Sequence, residues 1–124
     1  MLSVKFSRFG KPEEVLEVQE VETPSPKAGE VLVKMTARPI NPSDLLTVAG
    51  LYGRLPKLPA TAGYEGAGVV EKLGEGVTGL QVGQRVIPLG VVGTWQEYII
   101  ASPLQLLPTP DSLSDALAAQ FVVN

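Results

Sequence analysis

Tyrosines at 52, 64 and 98, with scattered carboxylates and amines, are what this sequence offers for acid–base chemistry. Neither cysteine nor histidine occurs in it. That excludes thiol chemistry, a Ser-His-Asp triad, a disulfide framework and any zinc site of thiolates or imidazoles. A proton must be moved by Asp, Glu, Lys or Tyr, or by a cofactor. Of these a tyrosine suits the giving of a proton at neutral pH, because its ordinary pKa of about 10 keeps it protonated. One further pattern invites a chemical reading. Gly74-Glu75-Gly76-Val77-Thr78-Gly79 matches the dinucleotide fingerprint G-x-G-x-x-G. Those glycines hold a pyrophosphate only where they open a helix. Gly83 and Pro88 follow too closely for one, so a hairpin turn is the better reading.

The elements that must position these groups are short. The 13 glycines and 11 prolines among 124 residues predict many turns and strands more than long helices. In Glu30–Arg38, Val31, Val33, Met35 and Ala37 alternate with Lys34, Thr36 and Arg38, the pattern of a half-buried strand. Strands are also expected over 2–7, 14–22, 66–73, 85–89, 95–101 and 104–107, the first two joined through Gly10-Lys11-Pro12. The paired small residues of Gly66-Ala67-Gly68 point to a bend or a close backbone approach. Asn41-Pro42-Ser43-Asp44 starts a short helix, with Asn as N-cap and Pro at its first position, and Gly50 and Gly53 stop it. Leu55–Pro59 is an extended loop. Ser112-Leu113-Ser114-Asp115 reads as a capping box for a helix through Phe121. Strands at 8–12-residue spacing suggest a small antiparallel barrel or sandwich.

The wider composition excludes other classes. Apolar residues make up 44% and charged residues 19%, as in a globular domain. A net charge of −3 gives no electrostatic footprint for nucleic acid or an anionic membrane. No apolar run approaches a membrane span and no signal-peptide pattern opens the chain, so a soluble cytoplasmic protein is expected. The C-terminal helix runs into Phe121-Val122-Val123 without a glycine cap or a basic last turn, which reads as a polypeptide continuing past Asn124.

An ordered set of motifs spans the chain: Asn41-Pro42-Ser43-Asp44, Gly50-Leu51-Tyr52-Gly53, Leu58-Pro59, Gly63-Tyr64-Glu65-Gly66-Ala67-Gly68-Val69-Val70, Gly74, Val86-Ile87-Pro88, Gly93-Thr94-Trp95 and Asn124. This set resembles the medium-chain dehydrogenases/reductases, in the 2-enoyl thioester (enoyl-CoA/enoyl-ACP) reductase branch and close to the zinc-free quinone oxidoreductases. The usual Gly-Asp step reads Gly83-Gln84 here, a departure that touches a turn.

The resemblance implies a mainly β fold, a GroES-like partly open barrel with a short helix near 42–50. Residues 1–124 would be the N-terminal catalytic domain, with 110–124 starting the connection to a Rossmann domain that holds NADPH in the interdomain cleft. It implies reduction of a C=C bond conjugated to a thioester carbonyl, with Tyr52 as proton donor. Asn124 and Asn41 would contact the cofactor, and Tyr64 and Trp95 would line the substrate pocket. No metal site is implied, since Glu65 alone cannot hold a zinc and reads as a buried structural carboxylate. A donor at position 52 must keep its hydroxyl open to the surface where a partner domain docks. On residue type alone Tyr52 also reads as a loop-tip aromatic, Trp95 as a core aromatic and Asn41 as an N-cap. The implied substrate is a small acyl thioester or a quinone, and the implied parent is a homodimer that binds neither nucleic acid nor membrane. A non-catalytic GroES-like interaction module shares the fold, with 54–62 as its candidate loop.

Overall fold

The computed structural model describes residues 1–121. Its spine is β3 (Val31–Ala37), where the alternation in the sequence holds: Val31, Val33 and Met35 are buried, Lys34 and Thr36 exposed. Leu32 is buried as well. A register shift between Leu32 and Val33 interrupts the alternation there, as a bulge does. Around β3 a five-stranded antiparallel sheet runs in the order β7-β3-β5-β6-β8, with β5 (Ala67–Leu73), β6 (Arg85–Pro88), β7 (Tyr98–Ala101) and β8 (Leu106–Pro108). A second sheet places β1 (Leu2–Phe6) between β2 (Glu17–Glu20) and β4 (Ala60–Thr61).

Residues 95–97 stitch the two sheets together. The Val4 amide donates to Trp95 O at 2.9 Å, the Glu97 amide to Leu2 O at 3.1 Å, and the Met35 amide to Glu97 O at 2.8 Å. Neither sheet closes on itself, so the described residues form a mainly β, partly open fold of two sheets.

Three apolar clusters hold this frame. The largest joins Val31, Val33, Met35, Val70, Val86 and Ile99 within the five-stranded sheet. A second packs Phe6, Val15, Val48, Ala60 and Ala62, and thereby fixes α1 (Pro12–Val15) and α2 (Pro42–Val48) to the smaller sheet. A third seats α3 (Asp115–Ala118) through Ala118 and Ala119 on Ala67 and Ile87. Arg85 reinforces that seat. Its guanidinium donates to Asp115 Oδ1 at 2.8 Å and to Leu113 O at 2.5 Å, with a longer contact to Pro110 O at 3.4 Å.

Several expected boundaries move, each for a local reason. The strand expected over 14–22 is cut by α1, where Pro12 takes the first helical position and Glu13 and Glu14 favour the first turn. The strand expected over 95–101 starts only at Tyr98, because 95–97 are spent bridging the sheets. That over 104–107 is preceded by a 3₁₀ turn at Pro103–Gln105, capped by Ser102. The last helix is one turn, Asp115–Ala118, and its cap is Ser114, whose Oγ accepts from the Leu117 amide at 3.3 Å. The close approach expected at Gly68 is present: a Cβ there meets Lys34 O at 2.5 Å and Val33 Cγ1 at 2.6 Å. Residues 74–84 form turns and open no helix, so the glycine fingerprint has no phosphate-binding context.

Candidate active site

The site is built outward from the end of α2. Gly50, at φ +78°, is the left-handed residue that ends this helix. Its amide donates to Thr47 O at 3.0 Å and that of Leu51 to Leu46 O at 2.9 Å, the paired bonds of a Schellman motif. A side chain at 50 would press on Phe9, 3.1 Å from its Cβ and 3.2 Å from its ring Cγ. The chain therefore turns sharply out of the helix, and Tyr52 stands at the tip, 46% exposed.

Tyr64 faces it from the loop before β5, with ring centroids 6.4 Å apart and planes tilted by 49°. Its hydroxyl shares a 2.7 Å hydrogen bond with Thr47 Oγ1, and Thr47 in turn donates to Ser43 O at 2.9 Å. Tyr64 is thus anchored to α2 while the Tyr52 ring leans on it. Both rings line an open cleft of about 720 Å³, walled further by Ser43, Arg54, Leu55, Pro56, Lys57 and Val92.

Beneath the cleft lies a buried polar layer. Asn41 Nδ2 donates to Glu65 Oε2 at 2.5 Å, and the Asn41 amide donates to Asp44 Oδ2 at 2.8 Å. Asp44 is 2% exposed. Burial pushes its carboxyl above the ordinary 3.8; the Asn41 amide opposes the rise, the charge of Glu65 adds to it, and the Tyr64 amide opposes it. The raised value means that the folded chain favours protonated Asp44. Its contribution to stability is full below pH 3.8 and is lost as pH rises through the raised value. Asp44→Asn is accordingly expected to gain stability relative to the natural chain between pH 3.8 and neutrality, read by urea unfolding at both ends of that range. A difference that stays flat, or moves the other way, would refute the assignment.

The residues named from sequence divide cleanly. Tyr52 and Tyr64 come together in one cleft. Asn41 lies below it, its carboxamide committed to Glu65. Trp95 lines a separate groove with Leu2, Val4, Val18 and Ile40, and its Nε1 donates to Pro39 O at 3.1 Å. Asn124 lies outside the described residues. The residues that sequence reasoning passed over are Asp44, Thr47, Arg54 and Lys57. Each was placed in an element without regard to what its side chain would face; the spacing of two cations in the loop just after Tyr52 was the available signal.

Residues 27–111 match the family described as alcohol dehydrogenase GroES-like domain. The mitochondrial enoyl-[acyl-carrier-protein] reductase of Xenopus tropicalis is 40% identical over 120 residues, covering 96% of this chain and 34% of that protein. The human synaptic vesicle membrane protein VAT-1 homolog is 38% identical over 117 residues, 94% of this chain and 30% of that one. Among solved structures, Escherichia coli quinone oxidoreductase complexed with NADPH superposes with a TM-score of 0.88 at 31% identity, over 98% of this chain and 37% of that one. The chain spans about a third of the length of the curated relatives it matches. With a family match across most of its length and the same fold in a solved relative, the chain belongs to the alcohol dehydrogenase GroES-like domain family of the medium-chain dehydrogenases/reductases.

Proposed function

We propose that residues 1–124 are the N-terminal catalytic domain, with 110–124 beginning the connection to a Rossmann domain, of a zinc-independent, NADPH-dependent oxidoreductase. Its reaction is reduction of the C=C bond of a 2-enoyl thioester. The observation that carries this reading is the half-exposed phenol of Tyr52, held at a helix exit beside Tyr64 in a cleft with aliphatic walls. The likeness to an enoyl-[acyl-carrier-protein] reductase supports it.

The cleft donors do not fit a catalytic zinc. They are hydroxyls and cations, and no group of three Asp or Glu that could hold a metal occurs among the described residues. The fit to NADPH is partial. Aromatic and aliphatic walls suit its nicotinamide end, whereas the glycines of 74–79 form turns and offer its phosphates no helix terminus. Holding the dinucleotide then falls mainly to residues outside this chain.

When bound, NADPH supplies a hydride to the β-carbon of the enoyl group. The electrons of the double bond pass to the thioester oxygen as an enolate, and the α-carbon must take a proton. Tyr52 gives it: its phenol carries an O–H donor, and its exposure leaves it free to reach the substrate. Tyr64 keeps the Tyr52 ring from folding inward, and its own hydroxyl is occupied by Thr47. Leu55, Pro56 and Val92 offer the acyl chain an apolar wall. The likeness to a quinone oxidoreductase favours a second reading, reduction of a quinone in the same cleft.

The test is the complete enzyme with NADPH and a short 2-enoyl thioester, with the product identified by mass spectrometry. A saturated thioester, two mass units heavier, is expected on the balance of one hydride and one proton, about 2 Da in all. An unreduced thioester beside a reduced quinone would overturn the first reading in favour of the second.

A further inference from the structure

The cleft carries a charge that the mechanism does not use. The chain is acidic, with 13 Asp and Glu against 10 Lys and Arg. Yet Arg54 and Lys57 are the charged residues among those lining the cleft, and both are cations. They stand on the loop that follows Tyr52, both exposed. Neither has a salt-bridge partner among the described residues, where Arg85 and Asp115 form the ion pair. Between them on that loop, Leu55 and Pro56 continue the apolar wall. The lining is therefore amphipathic: aliphatic surface with two unpaired cations, which fits a ligand with an apolar end and an anionic end.

We infer that Arg54 and Lys57 hold the phosphate at the far end of the substrate's pantetheine arm and so favour phosphate-bearing thioesters over uncharged ones. The inference rests on the thioester reading of the cleft. It adds the part of the substrate that this chain selects. A guanidinium presents paired donors to a phosphate and an ammonium a mobile point charge, and both bonds are charge-assisted. Coenzyme A and a carrier protein both end the arm in a phosphate, so the shared chemistry is the phosphate itself. Neither residue touches the reacting atoms; they are specificity residues.

The experiment compares the complete enzyme with its Arg54→Gln/Lys57→Gln variant on one enoyl chain carried by coenzyme A, by a carrier protein and by uncharged N-acetylcysteamine. The variant is expected to lose about 10- to 30-fold in kcat/KM on a phosphate-bearing thioester, chiefly through KM, as two charge-assisted bonds are removed. Its kcat/KM for the N-acetylcysteamine thioester and its KM for NADPH stay unchanged. In the natural enzyme KM for a phosphate-bearing thioester is expected to rise with ionic strength, and in the variant that rise flattens, since exposed charges are screened by salt. Loss on one carrier and not the other names the source, and either pattern upholds the inference. Equal loss on charged and uncharged thioesters, no loss on any, or a raised KM for NADPH alone overturns it. Calorimetric titration with pantetheine 4′-phosphate reads the pair without turnover, with binding about tenfold weaker in the variant expected and equal binding overturning the proposal. An enzyme that reduces none of the thioesters while binding that phosphate through Arg54 and Lys57 refutes the proposed reaction and leaves the phosphate site standing.

Discussion

Tyr52→Phe in the complete enzyme is expected to lower reduction of a 2-enoyl thioester by about 100-fold, the low end for loss of a general acid. Reduction of a quinone should be largely spared. The substitution keeps the ring that leans on Tyr64 at 6.4 Å and removes only the hydroxyl. At 46% exposure the missing oxygen leaves no buried partner unsatisfied, so the fold should be unaffected. The low end of the range applies because an open cleft admits water, a poorer but available acid. The contrast between substrates follows from where the proton goes. An enoyl thioester must be protonated on carbon, which needs a positioned donor, whereas a reduced quinone is protonated on oxygen, which solvent does readily. Steady-state kinetics on both substrates decide the matter. Equal losses, or no loss in either, would remove Tyr52 from the donor role.

Gly68→Val should damage the fold severely. The new Cβ would meet Lys34 O at 2.5 Å and Val33 Cγ1 at 2.6 Å, well inside van der Waals contact. Lys34 O belongs to the backbone of the neighbouring strand, and β3 is paired on both sides, with β5 and with β7. It cannot retreat without disturbing two ladders. A cost of about 3 kcal/mol is expected, the upper end for overpacking. Urea unfolding should show it as a lowered midpoint with an unchanged slope. A loss under about 1 kcal/mol would mean that the register shifts along β3 and β5 let the sheet yield, against the usual cost of overpacking.

The parts of this molecule legible in its sequence were those fixed by local rules. Alternation over 31–37 named the central strand, Asn41-Pro42 named the start of α2, and Gly50 its end, because each depends on a few adjacent residues. Strand boundaries at 17, 98 and 106 were not legible. They are set by which backbone amides find partners in a distant strand, as when residues 95–97 are drawn into bridging β1 and β3. The site divided in the same way. A glycine-flanked tyrosine could be picked out as an exposed tip, and the ordered motifs gave it a role. That Tyr64 would meet it, that Thr47 would hold Tyr64, and that two cations would share the cleft depend on α2 folding back over the loop before β5. Trp95 shows the converse. The resemblance implied a pocket wall and the residue type a core aromatic; its indole packs against the Phe6 cluster and donates to Pro39 O, beside a groove apart from the tyrosine cleft.

The clasp that Arg85 makes on residues 110–115 has a mechanical meaning. One guanidinium grips two carbonyls and a carboxylate of a segment already seated by Leu113, Ala118 and Ala119, so strand β6 and the stretch after it keep a common heading. The turn of α3 stands on the five-stranded sheet as a fixed mast.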